Sequence, residues 1–458
     1  HYPYGCVEQT TSSMMPWLAA ERLRGVVPAF AKKSPAEVKK ALQAGVNRLL
    51  SMQTTDGGFA YWPGQTVSLP WASPYAGLGL LLASKQGAEV PEAAIAALCD
   101  NLERGLRGLG TTKDAYELEI ATRAIWILAI ADRHPDAYIN TLKVRLAELN
   151  PRARCMLALA AKQANTLPDA AVLLRDKTPF KEKDNTWMRW EADLPLSLLA
   201  WSTIEPKAKE TDAAMAALIQ DRDPYGSWRT TWVNAWSLLG LGAYAEHEDS
   251  RTPAHLTLAS QDGKEQLTVG GEESAAAHSY TLTPALNLNV TSDQPAFVRV
   301  KLASKPDLLP SKPVAKNGLE ITRFYERVNP DGTSTPLDAP KKGDLIRVTL
   351  KIEQPRDYSR YVVVEDYLPS IFEAVNNDFA SQAAHPNAGG TSEKSWTVSH
   401  SEIRADRVMF FYDDRYRGSQ SLTDLARCTM EGKATAPPAK VESMYDPDSI
   451  ALSASRSF

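Results

Sequence analysis

The chain has 458 residues, and its 51 Lys and Arg against 55 Asp and Glu give a formal net charge of −4. At roughly 150 residues per domain, this length predicts about three domains. A near-neutral charge gives no electrostatic reason to expect nucleic acid or an anionic membrane as a partner. The hydrophobic fraction of 43% is typical of a folded chain. Apolar runs such as 76–83 and 124–131 are shorter than the roughly 20 residues that a membrane-spanning helix needs.

The cysteine and histidine content predicts neither a disulfide framework nor a zinc site. The cysteines are few and scattered, at Cys6, Cys99, Cys155 and Cys428. None stands at metal-ligand spacing from another, and the seven histidines lie far apart, so we expect no metal and no other cofactor. Residue 1 is a histidine without a preceding signal peptide, which leads us to expect a fragment of a longer protein.

Residues up to about 248 are alanine-rich and have helical periodicity. In 114–133, apolar residues recur at spacings of three and four. The same pattern predicts further helices at 35–52, 72–85, 93–106, 137–149, 152–162, 213–219 and 230–244. A Gln at a helix end, a Gly turn and an aromatic residue occur together twice, at 53–59 and 220–228. Stacked helical hairpins closed by such turns predict an α/α toroid.

After residue 250 the hydrophobic period changes to two. Alternating stretches at 297–302, 345–352 and 361–365 predict strands, and 407–414 predicts a strand that is buried on both faces. Short strands separated by proline-rich breaks favour β-sandwich domains. The predicted fold class is therefore a multidomain α and β chain, with an α/α toroid followed by β-sandwich domains.

The opening of the chain contains a pair of residues that could react with each other. Cys6 and Gln9 are three apart, so on a helical turn they share a face. A cysteine thiol beside a glutamine carboxamide can expel ammonia and form an internal thioester, which is an acyl electrophile. Considered alone, Cys-x-Glu-Gln is weak evidence and more often describes a small buried cysteine beside a solvated glutamine.

The sequence around this pair adds a family resemblance. Tyr-Pro-Tyr-Gly-Cys-Val-Glu-Gln-Thr-Thr at 2–11 resembles the thioester motif of the alpha-2-macroglobulin and complement superfamily, and is most similar to that of bacterial alpha-2-macroglobulins. Val7 replaces the usual Leu and leaves the two reacting groups intact. The resemblance implies a toroidal thioester domain at 1–248, a CUB-like β segment at 249–308 and a terminal macroglobulin-like β-sandwich domain at 309–458.

The resemblance also implies a lid that shields the thioester. In bacterial members, a Met-Tyr pair of the terminal domain and a Tyr four residues before the Cys have this role. These positions correspond here to Met444, Tyr445 and Tyr2. A thioether and aromatic lid would exclude the water that competes with an amine. Without the resemblance, Met444 and Tyr445 would be ordinary edge residues of a sandwich.

Three further features bear on the mechanism. Complement-like relatives use a histidine about a hundred residues after the Cys, but none lies between His1 and His134, so we expect transfer to amines rather than hydroxyls. His134 has the context of a surface loop. Glu8 and Tyr4 are candidate supporting residues; Glu8 could cap the helix electrostatically or accept a proton from the amine. Acidic residues near 413 predict a solvated strand end.

The family resemblance implies a single-turnover covalent trap rather than an enzyme. Its partners would be attacking proteases, captured through lysine amines, and small amines such as methylamine would also react. The parent protein would be a monomeric lipoprotein, tethered to the inner membrane and facing the periplasm. Two alternatives stay open: a covalent adhesin or opsonin-like module, and an enzyme on the same toroid such as a cyclase or lyase. No Asp-x-Asp-Asp motif supports the latter.

Overall fold

The computed structural model describes residues 5–24, 30, 32–165, 167–180, 192–223, 226–228, 230–247, 254–260, 263–269, 278–281, 287–294, 308–375 and 398–458. The chain divides into two compact units, residues 1–299 and 300–458. The described helices belong to the first unit, and the described part of the second consists of antiparallel strands. The chain is therefore a mixed α and β protein, as the sequence predicts. The finer boundaries at 248 and 308 stay a prediction.

The first unit begins with a series of helices. In chain order they are α1 (Val7–Ala19), α2 (Pro35–Leu50), α3 (Ala72–Lys85), α4 (Glu92–Gly105), α5 (Ala115–Ile130), α6 (Asp136–Lys143), α7 (Pro151–Gln163), α8 (Leu167–Arg175), α9 (Asp193–Ile204), α10 (Lys209–Gln220) and α11 (Thr231–Ala245). The sequence did not predict α8 or α9. Because α9 is apolar on nearly all sides, it lacks the polar face that makes a helical period visible.

Several helices begin where side chains satisfy the free backbone N–H groups of the first turn. Ser34 Oγ accepts the N–H of Glu37 at 3.2 Å, and the Glu37 carboxylate accepts the N–H of Ser34 at 2.9 Å, which is a capping box. Pro35 follows at the first helical position, where its missing N–H costs nothing. Asn150 and Thr230 cap α7 and α11 through their side-chain oxygens. These local signals explain why most of the helix starts could be predicted.

Two kinds of helix alternate along much of the chain. Helices α1, α3, α5, α7, α9 and α11 are buried on most sides, whereas α2, α4, α6 and α10 bury a single stripe, such as Leu42, Val46 and Leu49 in α2. A helix that is apolar all round must lie inside, and an amphipathic one covers it. Each buried helix packs against the next of its kind, and α11 packs against α1.

The predicted Gln-Gly-aromatic turn at 53–59 fastens one helical hairpin to the next. Gln53 Nε2 donates to the carbonyl oxygen of Gly57 at 3.0 Å and to that of Ala94, in α4, at 2.9 Å. Phe59 is fully buried. The turn therefore joins α2 to α4 through one side-chain amide.

A small sheet follows the helices in the first unit. Its strands are β1 (Ala254–Ser260), β2 (Gly263–Val269) and β3 (Asn289–Ser292), in the order β2-β1-β3. The strand predicted at 297–302 lies outside the described residues. Among the described residues of the whole chain, no helix is both long and apolar enough to cross a bilayer.

The second unit is built around two long paired strands. Its strands are β4 (Val314–Ala315), β5 (Glu320–Val328), β6 (Ser334–Pro336), β7 (Leu345–Tyr367), β8 (Phe372–Ala374), β9 (His400–Arg404), β10 (Arg407–Cys428), β11 (Thr435–Ala436), β12 (Lys440–Ser443), β13 (Asp446–Leu452) and β14 (Arg456–Ser457). The main sheet runs β4-β13-β12-β7-β10-β8, with β5 also paired to β7 and β9 to β10. Side chains of β5, β7, β10 and β12 form its apolar core.

One prediction in this unit is confirmed with longer bounds, and one is wrong. The predicted strands at 345–352 and 361–365 are parts of the single strand β7, because backbone pairing with β10 extends on both sides of an irregularity between Gln354 and Tyr358. The acidic pair Asp413 and Asp414 is not at a strand end, since β10 continues to Cys428. Hydrophobic alternation reveals only the segments whose side chains are buried, whereas pairing of the backbone does not depend on it.

Candidate functional site

Cys6 and Gln9 lie together at the start of α1. Cys6 is the N-cap residue, and its Sγ accepts the backbone N–H of Gln9 at 3.4 Å. In return, Oε1 of Gln9 accepts the backbone N–H of Gly5 at 3.2 Å. These two bonds resemble those of a capping box, except that the Gln9 side chain bonds to Gly5 and not to the N-cap residue Cys6 itself. The helix start thus holds both residues in the first turn of α1.

Gly5 fixes the chain that enters this turn. Its φ of +68° lies in the left-handed region, which glycine adopts without a Cβ penalty. Its carbonyl oxygen accepts Nε of Arg48, in α2, at 3.0 Å and Oγ1 of Thr10 at 3.2 Å. The segment before Cys6 is therefore bound both to α1 and to a neighbouring helix.

The pair is shielded from solvent. Cys6 is 0% exposed and Gln9 is 3% exposed. Burial first, and then the nearby negative charge of Glu8, raise the pKa of the Cys6 thiol to about 12. Hydrogen bonds from the Gln9 backbone and from the Tyr61 side chain oppose this rise. A thiolate is therefore disfavoured here, so Cys6 differs from the exposed, low-pKa cysteines of redox sites.

Aromatic side chains of the loop between α2 and α3 cover Cys6. The backbone N–H of Val7 donates to the carbonyl oxygen of Tyr61 at 3.0 Å. The Tyr61 ring meets Trp62 edge-on at 5.3 Å and Trp71 at 6.1 Å between ring centroids. All three rings are buried. This aromatic wall meets the first turn of α1 at Tyr61, whose side chain forms a hydrogen bond with the Cys6 thiol.

Glu8 points into the unit and bonds to distant residues. It is 0% exposed, and both of its carboxylate oxygens accept Oγ1 of Thr231, in α11, at 2.8 Å. Oε1 also accepts Oγ of Ser12 at 2.5 Å, and Ser12 Oγ lies 2.9 Å from the Tyr75 hydroxyl. Glu8 thus joins the first helix to the last, and through Ser12 to α3.

The predicted lid residues Met444 and Tyr445 follow β12 in the second unit. The backbone N–H of Met444 donates to the carbonyl oxygen of Tyr361 at 2.9 Å. The Tyr445 ring meets the Tyr361 ring edge-on, with 5.4 Å between centroids. Tyr361 has a φ of +51°, an uncommon conformation for a residue with a bulky side chain. The other lid candidate, Tyr2, and the supporting candidate Tyr4 lie outside the described residues.

Two further predictions concern His134 and metal binding. The His134 side chain is 81% exposed after α5, as expected of a surface loop residue. In the part of the chain that the structure describes, no group of His, Cys, Asp or Glu side chains could hold a metal ion.

Sequence reasoning identified Cys6, Gln9 and Glu8 but missed Tyr61 and Thr231. The aromatic run after the glycine turn could have drawn attention to Tyr61. Thr231 carried no such signal, because a Thr before an apolar helix is typical of a helix start. Its side chain bonds instead to a residue 223 positions earlier in the chain.

Comparison with known proteins agrees with this architecture. Residues 318–448 match the family described as "Bacterial Alpha-2-macroglobulin MG10 domain". Alpha-2-macroglobulin of Escherichia coli is 26% identical over 97% of this chain. The chain spans little more than a quarter, 28%, of that curated relative's length.

Solved structures of bacterial alpha-2-macroglobulins are also similar to this chain. Native alpha-2-macroglobulin from Escherichia coli, spanning domain MG7 to the C-terminus, matches with a TM-score of 0.73 at 25% identity, over 100% of this chain and 73% of that one. Salmonella alpha-2-macroglobulin reacted with methylamine matches with a TM-score of 0.71 at 23% identity, over 99% of this chain and 30% of that one, and shows the fold alone. Residues 318–448 thus match the MG10 domain of bacterial alpha-2-macroglobulins, and the chain as a whole is similar to the C-terminal region of these proteins.

Proposed function

We propose that this chain is the thioester-bearing portion of a bacterial alpha-2-macroglobulin, which covalently traps attacking proteases through an internal Cys6–Gln9 thioester. The observation that carries the proposal is the hydrogen bonding of Cys6 and Gln9 at the start of α1. Gln9 N–H donates to Cys6 Sγ at 3.4 Å, and both residues are buried. Reacting groups that are held together in a site without water gain most from proximity.

The chemistry balances with the residues present. When the thioester forms, Cys6 Sγ bonds to the side-chain carbonyl carbon of Gln9, and the carbon–nitrogen bond breaks. The thiol proton leaves with the nitrogen as ammonia. When an amine attacks, a new carbon–nitrogen bond forms, the carbon–sulfur bond breaks with its electron pair on sulfur, and a proton restores the Cys6 thiol. The acyl group is consumed once, so the protein is a trap and not an enzyme.

The backbone N–H of Gly5 supports both steps. It donates to Oε1 of Gln9 at 3.2 Å, and that oxygen stays on the acyl carbon when the thioester forms. An N–H group aimed at a carbonyl oxygen stabilises the negative charge that develops there during acyl transfer. The left-handed turn at Gly5 is what directs this N–H group toward Gln9.

The preferred targets are lysine amines held close to the site. A lysine with an ordinary pKa is unprotonated in only about one molecule in 2,500 at pH 7. Tethering raises the effective concentration of the amine into the millimolar range or above, which offsets this handicap. A protease engaged in cleaving the parent protein would be held in this way.

We also propose that the helices form the α/α toroid of a thioester domain. The packing order supports this architecture, since α1, α3, α5, α7, α9 and α11 contact one another in sequence and α11 returns to α1. Helices α2, α4, α8 and α10 each pack against two consecutive members of that series. A CUB-like segment and a macroglobulin-like terminal domain would follow, with Tyr2, Met444 and Tyr445 as the lid.

The cellular setting is part of the same proposal. We place the parent protein in the periplasm, as a monomeric lipoprotein tethered to the inner membrane, because the family resemblance implies it. Fractionation of the source cells with an antibody against this chain would test the setting. Recovery in the cytoplasmic fraction would contradict it.

The decisive experiment measures the intact mass of freshly prepared protein with and without methylamine, together with a thiol titration. Methylamine is a suitable probe because a Salmonella alpha-2-macroglobulin of the same fold has been solved after reaction with it. We expect a mass one ammonia below that of the sequence, then a methylamine adduct at Gln9 and one new titratable thiol at Cys6.

Two variants test whether Cys6 is the cysteine that forms the thioester. Cys6→Ala should have the full mass of its sequence and should not take up methylamine. Cys99→Ala removes another buried cysteine and should behave as the wild type. A wild-type chain with an unmodified Gln9 and a free Cys6 from the outset would contradict the proposal, whereas a glutamate at position 9 would indicate a hydrolysed thioester.

A further inference from the structure

The Glu8 carboxylate has an environment that a helix-capping role does not require. A cap interacts with backbone N–H groups at the end of its own helix. Glu8 instead accepts hydroxyl groups of Thr231 in α11 and of Ser12, whose own Oγ lies 2.9 Å from the Tyr75 hydroxyl of α3. The side chain is fully buried, and these contacts fix it in one position.

The surroundings of this carboxylate present hydrogen-bond donors and positive helix ends to it. Glu8 lies in the first turn of α1, and Thr231 is the first residue of α11, so two helix N-termini with partial positive charge are near it. Hydroxyl groups of Ser12 and Thr231 donate to it directly. A charge that is fixed and hydrogen-bonded inside the unit acts strongly on neighbouring reactions, because water does not screen it.

Cys6 lies two residues before Glu8 at the first turn of α1, and both side chains are fully buried, so the Cys6 sulfur is the reacting group nearest in sequence to this carboxylate. The Glu8 charge is the second cause, after burial, of the raised pKa of the Cys6 thiol. When an acyl carbon–sulfur bond breaks, the electron pair goes to sulfur, which becomes partly negative. A fixed negative charge nearby opposes this step, and a thiol of higher pKa is a poorer leaving group.

Resting on the proposed function, we infer that Glu8 is a positioning residue whose buried negative charge, held by Thr231 and Ser12, slows expulsion of the Cys6 sulfur and so preserves the thioester until a target amine is delivered. The same contacts argue against a proton acceptor, because the carboxylate is directed toward α11 and not toward solvent. Glu8 therefore opposes the premature reaction of the trap.

The test compares variants that remove the charge of the Glu8 side chain with variants that change its length. Glu8→Gln removes the charge but keeps the shape and one accepting oxygen. Glu8→Asp keeps the charge but shortens the side chain. Glu21→Gln removes one exposed negative charge just beyond α1 and is the matched control. Each full chain is first checked for a mass one ammonia below its sequence, and methylamine uptake is then timed.

We expect Glu8→Gln to take up methylamine about ten-fold faster than the wild type. The basis is that a nearby like charge shifts a pKa by 1–3 units, about half of which is transferred to the rate of thiol departure. Glu8→Asp and Glu21→Gln should stay within about two-fold of the wild type. A merely structural role predicts the reverse order, with the isosteric Glu8→Gln least affected.

Every other result of this test also bears on the role of Glu8. Uptake by Glu8→Gln at the wild-type rate would overturn the inference, and slower uptake would make Glu8 a proton acceptor instead. If Glu8→Gln is unfolded by circular dichroism, Ser12→Ala replaces it; this variant removes one of the two hydroxyl donors that hold the carboxylate. Faster uptake than in the wild type would then support the inference, and unchanged or slower uptake would overturn it. A wild-type chain without a thioester would overturn the proposed function and this inference with it.

Discussion

The backbone N–H of Val7 donates to the carbonyl oxygen of Tyr61 at 3.0 Å. This bond holds the loop between α2 and α3 against the first turn of α1. The loop places an aromatic ring beside Cys6, and a hydrogen bond from the Tyr61 side chain reaches the thiol. A residue that the motif does not contain therefore forms part of the site.

Replacing Tyr61 by Ala should speed hydrolysis of the thioester about ten-fold or more, because a cavity beside Cys6 would admit water. The truncation should also lower the free energy of unfolding by about 3–5 kcal/mol, as for other large buried side chains. The measurement is the gain of one water at Gln9, followed by mass over time. Tyr61→Phe, which keeps the ring, is the control and should hydrolyse slowly. Equal hydrolysis rates for Tyr61→Ala and Tyr61→Phe would show that the Tyr61 ring does not protect the thioester from water.

Replacing Tyr445 by Ala should speed both methylamine uptake and hydrolysis if this residue is part of the lid. Its ring is held edge-on by Tyr361 at 5.4 Å, so an alanine would leave that position without a ring. Tyr416→Ala removes an aromatic residue of the same unit that is 68% exposed and should leave uptake unchanged. Identical uptake by Tyr445→Ala and the wild type would remove Tyr445 from the lid.

The pH dependence of stability should reveal a buried carboxyl group, Asp424. In the described structure neither of its side-chain oxygens has a hydrogen-bond partner, and the residue is buried. Burial and the neighbouring Asp366, which pairs with Arg323 at 2.6 Å, raise the pKa of Asp424 well above its ordinary value, and Arg323 opposes this rise. The folded chain thus binds a proton more tightly here than the unfolded chain does.

The raised pKa of Asp424 determines whether stability should rise or fall with pH. A raised pKa contributes stability below the ordinary value of about 4, and the contribution falls as pH rises toward the folded pKa, by about 1.4 kcal/mol per pH unit. Asp424→Asn should therefore gain stability over the wild type between about pH 4.5 and pH 7.5 in urea titrations. Asp331 is the control, because hydrogen bonds from Thr333 lower its pKa; the stability difference between Asp331→Asn and the wild type should change only below about pH 4 and stay constant between about pH 4.5 and pH 7.5. A difference that does not change with pH would refute the assignment for Asp424.

Two glycines of the loop between α2 and α3 should differ sharply on replacement by alanine. Gly57 and Gly64 both have left-handed φ values, +84° and +80°. A Cβ at Gly57 would lie 2.0 Å from the carbonyl oxygen of Ala97, whereas one at Gly64 would meet nothing within 4 Å. Gly64→Ala should cost about 1–2 kcal/mol of unfolding free energy for the backbone conformation alone. Gly57→Ala should cost more than about 4 kcal/mol, since the backbone of α4 must move. Equal losses in thermal melts would contradict the close packing of this turn.

Local features of the chain could be predicted from sequence because their causes lie within a few residues. The helix at 72–85 was predicted with its observed bounds, and the facing of Cys6 and Gln9 follows from their spacing on one turn. Capping residues such as Ser34 and Asn150 act on the N–H groups just after them. Such interactions persist whichever neighbours the fold provides.

The sequence by itself thus determined the helix starts, the change from helices to strands and the pairing of Cys6 with Gln9. Only the tertiary structure decided that Glu8 bonds to Thr231, that Tyr61 covers Cys6 and that Asp424 is buried beside Asp366. Charged residues usually remain in water, since burial is costly unless partners are supplied. Those partners come from segments far apart in the chain, so their placement depends on how helices and strands pack rather than on any local pattern.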